Sequence, residues 1–266
     1  MARLSGASFR KCVLAHYKRH GRDFSWRRTK NSYHILVSEI MLQQTQTARV
    51  AERYESFLKK FPTMRALARA RTRDILRAWQ GLGYNRRALY LHRAAKIIEE
   101  KYGGEIPRDE KILSTFPGIG ENTAGAIAAF AFDKPVVFVE TNIRTVFLHH
   151  FFSKEKSIHD AKIIPCIKRT LPKKGVREWY SALMDYGVYL KSAYPNPSRR
   201  SAHHAPQKKF KGSDREIRGA LVRASLQEKS LQSVKKDLSI APERFRKILE
   251  SLKREGLITA KTRRLR

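Results

Sequence analysis

The chain has 266 residues, with 56 Lys and Arg against 24 Asp and Glu and a net charge of +32. That excess is more than solubility requires and points to a polyanionic partner, with nucleic acid ahead of an anionic membrane surface. No apolar run of spanning length, no signal-peptide hydrophobic region and no lipidation motif is present, so a soluble cytoplasmic protein without a membrane partner is expected, nucleoid-associated if prokaryotic.

Taken in order, the chain first predicts an amphipathic helix over Phe9 to His20, ended by Gly21. Phe24-Ser25-Trp26-Arg27 then reads as a turn with aromatic anchors. Two helices are expected between Tyr33 and Lys60, the first carrying Glu39 among Ile35, Leu36, Ile40 and Leu42. Shorter helices over 64–70 and 73–79 are broken by Gly81-Leu82-Gly83, and a longer one runs from Arg86 to Tyr102. Further helices begin near Asn142 and cover about 161–170 and 177–190. No convincing strand precedes residue 200, so the fold class is all-α. Cys12 and Cys166 stand apart with no metal-ligand spacing, and both are expected to be buried reduced thiols.

Phe116-Pro117-Gly118-Ile119-Gly120 forms a hairpin before the small-residue run Thr123 to Ala129. Glycine at 118 and 120 frees the backbone and bares the N–H groups that open the next helix, a place where an anion binds. An ordinary turn between core helices is the plainer reading of the same residues. The Ala- and Gly-rich helix can pack closely on a neighbour, and the apolar stretch Val136 to Val139 then carries Glu140.

Glu39 and Glu140 stand out because each lies in an apolar segment. Burial raises a carboxyl pKa and suits one of them to general acid work, and a second carboxylate beside a cation-forming sugar carbon completes a glycosidic cleavage set. Structural alternatives remain open: a surface base for Glu39, and an i to i+4 pair with Arg144 for Glu140.

Read together, Ser38-Glu39-Ile40-Met41-Leu42-Gln43-Gln44-Thr45-Gln46-Thr47, Gly81-Leu82-Gly83-Tyr84 and the hairpin with Thr123-Ala124-Gly125-Ala126 resemble the MutY-type adenine DNA glycosylases. These belong to the helix-hairpin-helix glycosylase superfamily with endonuclease III, and the resemblance covers residues 9 to 190. It implies a two-lobed helix-hairpin-helix fold over residues 1–190, with 25–133 as one helical bundle and 1–24 plus 134–190 as the second lobe. It implies a monofunctional hydrolase that removes adenine mispaired with oxidised guanine or guanine from double-stranded DNA. Glu39 falls where the family protonates the base, Glu140 where it stabilises the sugar cation, and Asn142 beside that carboxylate. Arg27 falls near the pocket, and Gln44 and Tyr84 where side chains wedge into the duplex as the base is extruded. Gln43 and the hairpin positions Gly118, Gly120, Asn122 and Thr123 complete the expected DNA-binding set. A monomer is expected.

The sequence departs from that family at three places. Glu140 replaces an aspartate and is one methylene longer. The four-cysteine loop that holds an iron-sulfur cluster should begin at Lys191, where a basic proline-containing linker over 191–212 stands instead, so no cluster and no other metal is expected. A monovalent cation at the hairpin is left open. Lyase members carry a lysine where Asn122 stands here, which argues for water as the nucleophile. The family's C-terminal domain is also replaced: residues 213–266, with fifteen Lys and Arg against seven Asp and Glu, predict three short helices of winged-helix-like character ending in Gly256-Leu257-Ile258-Thr259. With the linker, this unit could grip phosphate, for example through Lys235, Lys236, Arg263 and Arg264, or dock on the catalytic domain or recruit a protein. A thymine-mismatch glycosylase and a DNA-binding protein without chemistry are the alternative readings of the whole chain.

Overall fold

A computed structural model describes residues 6–206 and 209–258. Residues 207–208 of the linker, and Thr259, Arg263 and Arg264 of the expected C-terminal unit, lie outside the described residues. The chain begins with α1 (Gly6–His20), the single turn α2 (Ser25–Arg28), α3 (Ser32–Leu42) and α4 (Thr47–Lys60). It continues with α5 (Met64–Arg69), α6 (Thr72–Ala78), α7 (Arg86–Tyr102), α8 (Glu110–Ser114) and α9 (Glu121–Phe132). Then come α10 (Thr141–Phe151), α11 (Asp160–Thr170) and α12 (Val176–Ala193), a 3-10 turn (Pro197–Arg200), and α13 (Asp214–Leu226), α14 (Leu231–Asp237) and α15 (Pro242–Arg254). The fold is all-α: among the described residues the only β pairing is an isolated bridge between Ile158 and Ser201.

The helix limits follow local chemistry. Thr63, Asp109, Ser213 and Ser230 each accept a hydrogen bond from a first-turn N–H of α5, α8, α13 and α14. Gly103, at φ 60°, closes α7 in the left-handed conformation that glycine adopts without cost. The Phe24 to Arg27 segment, expected as a turn, winds into the single helical turn α2 with the Phe24 and Trp26 rings stacked 4.7 Å apart.

Contacts divide the chain into two units. The first comprises the chain up to Glu39, Pro107–Thr115 and Ile119–Pro206. In it α10 packs on α12, and Phe9, Ile143, Phe147, Trp179 and Leu183 are buried in one core. Two glycines allow close approach: a β-carbon at Gly125 would stand 2.9 Å from Phe138 Cβ, and one at Gly187 only 2.3 Å from the Asn142 carbonyl oxygen. One part of the basic stretch expected as a linker, around residues 196–201, is packed, while 202–206 and 209–212 are exposed. Lys191 still belongs to α12, Pro197 and Ser198 are buried, and Arg200 donates to the Leu148 carbonyl at 2.9 Å. The 3-10 turn packs on α10, and Ser201 pairs with Ile158.

The second unit comprises Ile40–Ile106, Phe116–Gly118 and the chain beyond Pro206. Helices α5 and α6 pack on α7, α4 packs on α6, and Val50, Phe57, Trp79, Leu91 and Ile98 are buried. The three C-terminal helices bury Ile217, Leu221, Phe245, Ile248 and Leu252, and α13 also packs on α6. Arg73 pairs with Glu228 at 2.5 Å, and Arg86 reaches both oxygens of Glu255 at 3.1 and 2.7 Å. Burial opposes the charge of Glu255, but the bonds from Arg86, Ser251 and Arg218 outweigh it and hold the carboxyl at about 2. These contacts join the C-terminal helices to the helical bundle of the same unit. The division also differs from the expected lobes, since 25–39, 107–115 and 119–133 belong with the first unit.

Candidate active site and wedge loops

The first unit gathers Glu39, Glu140, Asn142 and Arg27. Glu140 is the N-cap of α10 and bends back onto its own helix. Its Oε2 accepts from the Asn142 backbone N–H at 2.7 Å, and its Oε1 from Asn142 Nδ2 at 3.1 Å. The longer side chain therefore does what a shorter aspartate does at an N-cap. The Arg144 alternative is overturned, because Arg144 Nε and Nη2 donate to Asp160, each at 2.7 Å. The buried Asn142 Oδ1 has no hydrogen-bond partner and is an acceptor in reserve beside the carboxylate.

Glu39, half-buried near the end of α3, feels that carboxylate. Burial raises its carboxyl, Glu140 raises it further, Arg27 opposes both, and the balance lies at about 8. At neutral pH Glu39 holds its proton. Arg27 cannot neutralise it fully because its guanidinium is committed to Asp185, with Nη1 and Nη2 each donating at 2.8 Å. Arg22 adds its backbone N–H and two guanidinium bonds to the same acid. Burial works against the charge of Asp185, but the bonds from Arg27 and Arg22 hold its carboxyl below the usual range.

Asn122 and Thr123 lie in the first turn of α9, which Gly120 opens without a side-chain cap. Asn122 Oδ1 accepts from the Val139 N–H at 2.9 Å and so fixes the strand-like segment that delivers Glu140. Gly118 needs to be glycine: its φ is +77°, and a β-carbon would stand 2.7 Å from Tyr90 Cβ. Gly120 does not, since its φ of −83° suits any residue. That part of the hairpin expectation is corrected.

The second unit holds the residues expected to wedge DNA. Gln44, at φ 54°, and Tyr84, at φ 45°, both adopt the left-handed backbone that side chains rarely take. The buried Arg87 ties their loops together. Its Nη1 donates to the Ile40 and Met41 carbonyls at 2.7 and 2.9 Å, and its Nη2 to Thr45 Oγ1 at 2.8 Å and to the Leu82 and Gly83 carbonyls at 3.2 and 3.1 Å. Its guanidinium also lies 5.6 Å from the Tyr84 ring centre. Burial pulls the pKa of Arg87 down to about 10, opposed by Tyr84, so it remains charged at neutral pH. Gln43 Nε2 donates to the Gly118 carbonyl at 3.0 Å, within the same unit.

Sequence alone missed Asp185, Gly187, Lys191 and Arg87. Asp185 carried the same signal as Glu39, an acid in an apolar run (Leu183-Met184-Asp185-Tyr186), and could have been found by it. Lys191, where the resemblance places a cluster cysteine, is half-buried and interacts with Glu140. Its pKa is lowered by burial, raised by Glu140 and lowered again by Arg22, with a net fall. Arg87 gave no signal beside Arg86 on so basic a chain. A four-thiolate cluster does not fit the residues present. The chain has two cysteines, the described residues contain no group of three His, Cys, Asp or Glu suited to a metal, and Cys12 is exposed rather than buried. Cys166 is only partly covered, although it packs against the core of the first unit.

Residues 37–165 match the HhH-GPD superfamily of base excision DNA repair proteins. The chain is 32% identical over 274 residues to the adenine DNA glycosylase of Mycolicibacterium smegmatis, covering 92% of this chain and 91% of that one. It is 47% identical over 135 residues to the adenine DNA glycosylase of Mycobacterium tuberculosis, where the match covers 50% of this chain and 44% of the relative. A thermostable thymine-DNA glycosylase structure superposes with a TM-score of 0.62 at 27% identity, over 68% of this chain and 85% of that one. The chain belongs to the adenine DNA glycosylase family of the HhH-GPD superfamily. It spans less than half the length of the M. tuberculosis relative it matches. Among the described residues no helix is long and apolar enough to cross a membrane.

Proposed function

We propose that the protein is a monofunctional adenine DNA glycosylase acting on double-stranded DNA, on adenine opposite oxidised guanine or guanine. The observation that carries this reading is the pairing of Glu39, protonated at neutral pH, with Glu140 held by Asn142 in the same unit. Glu39 gives its proton to a ring nitrogen of the extruded adenine, so the base leaves neutral as the glycosidic bond breaks. The deoxyribose cation that forms is stabilised by the Glu140 carboxylate, and water adds at the same carbon. Glu140 takes the proton that water loses. Gln44 and Tyr84 offset the unstacking, and Gly118, Gly120 and Thr123 at the hairpin take phosphate.

Water rather than an amine is the nucleophile in this reading, since Asn122 offers no amine and is occupied with Val139. The enzyme works as a monomer in the cytoplasm on chromosomal DNA and needs no iron-sulfur cluster or other cofactor. A second reading, excision of mispaired thymine, is favoured by the likeness to the thymine-DNA glycosylase structure. Single-turnover assays on duplexes that each carry one defined mispair test both. Release of adenine opposite oxidised guanine is expected, release of thymine alone would replace the first reading by the second, and no release from any mispair would refute both.

A further inference from the structure

We infer that Tyr84, Arg215 and Phe210 form a nucleobase-stacking surface that receives an unpaired base of opened DNA. The inference rests on the reading of the chain as a protein that opens a duplex, and it adds to that reading a part contributed by the C-terminal unit. Arg215 comes from α13, and its Nη1 donates to Tyr84 Oη at 2.9 Å. Its guanidinium carbon lies 5.7 Å from the Tyr84 ring centre and 6.0 Å from that of Phe210. Ring, cation and ring thus follow one another across the surface.

Both rings keep part of their surface exposed to solvent. Tyr84 is 36% exposed and Phe210 60%, the largest exposure of any large apolar side chain among the described residues. An exposed phenylalanine on so charged a chain loses nothing by being replaced with a polar residue unless something covers it. Phe210 is also held in place, because its carbonyl accepts from Ser213 N at 3.0 Å and from Ser213 Oγ at 2.6 Å, and Ser213 is the cap that starts α13. Lys209 and Lys211 flank it. Aromatic faces and a guanidinium plane are what an unstacked base lies on, and the flanking ammonium groups suit the phosphate that the base brings with it. An acidic peptide would use the lysines and leave the rings uncovered, so the chemistry favours a nucleotide.

The test is equilibrium binding of the full chain to two duplexes of equal length, one fully paired and one with a stable tetrahydrofuran abasic analogue opposite guanine. Neither duplex can be cut by a glycosylase, so the measurement is independent of whether the chain excises any base. Phe210→Ala and Arg215→Ala are each expected to weaken binding to the abasic duplex by about 5- to 50-fold, the loss of roughly one stacked base, and to the paired duplex by less than about 3-fold. Phe210→Tyr, which keeps a ring, should bind like the parent chain. Equal losses on both duplexes, or none on the abasic one, would overturn the proposal. A chain that excises nothing but shows the selective loss would keep the stacking surface and refute the glycosylase.

Discussion

Gly187 lies against the backbone of Asn142 so closely that any other residue would drive its β-carbon to 2.3 Å from the Asn142 carbonyl oxygen and 2.8 Å from Asn142 Cβ. The contact sets the distance between α12 and the N-terminus of α10, and therefore the seat of Glu140. Gly187→Ala is expected to cost about 1–3 kcal/mol of stability through overpacking. Because a shift of ~1 Å in a reacting group can cost on the order of 100-fold in rate, the single-turnover rate should fall further than stability alone accounts for. A variant of full activity, measured well below its melting temperature, would show that the helix pair yields without moving the acid.

Glu39→Gln should lose at least about 100-fold in single-turnover rate while DNA binding survives, because a positioned general acid contributes on that scale. In the parent chain the rate should fall as pH rises through about 8, where Glu39 gives up its proton. The sign for stability is the same. The folded chain keeps on Glu39 a proton that the unfolded chain releases near 4.5, so this group makes stability fall as pH rises between 4.5 and about 8. Glu39→Gln removes that slope, and its melting temperature relative to the parent should be higher at pH 9 than at pH 5.

Asp185→Asn leaves Arg27 near Glu39 without its counter-charge. Arg27 then favours the ionised form of Glu39 more strongly, and the alkaline fall in rate should move to lower pH. The side chain of Asp185 is 2% exposed and that of Arg27 14%, so breaking the pair should also cost about 3 kcal/mol, the contribution of the more exposed Arg22 being small. Thermal melts and a pH–rate profile check the two effects separately, and a profile that does not move would separate Asp185 from the chemistry.

Glu140→Gln should be inactive, since an amide cannot carry the negative charge that the sugar cation requires. Glu140→Asp should retain most of the activity, because aspartate can cap α10 through the same Asn142 N–H. Activity of the Gln variant equal to the parent would make position 140 a cap and nothing more.

Product strands should stay intact until alkali cuts the abasic site, and borohydride should trap little covalent adduct. Good trapping would contradict hydrolysis by water, and its loss in Lys191→Arg would name the amine, because Lys191 is the lysine that interacts with Glu140.

What could be read from the sequence was whatever depended on short range. The run Arg86 to Tyr102 has its periodicity and its closing glycine in one window, and α7 has those limits. Glu39 and Glu140 were legible because a carboxylate in an apolar segment is unusual wherever the segment folds. Partners across the chain were not legible. Arg144 could as well have paired with Glu140 four residues back as with Asp160, and only the approach of α11 decides for Asp160. Gly118 and Gly120 look alike in sequence, and it is Tyr90, on another helix, that makes one of them obligatory. The exposure of Cys12 likewise depends on which face of α1 meets α12, which its own residues leave open.

Arg87 has a consequence for how this protein can change. One guanidinium serves carbonyls at 40, 41, 82 and 83 and the hydroxyl of Thr45, so the loops bearing Gln44 and Tyr84 share one fastening. Lysine, a point charge without the planar fork, cannot span the same acceptors. The loops are therefore inherited as a pair: a graft that moves one to another scaffold must carry the other and the arginine with it, and drift in either is limited by what that single side chain can still hold.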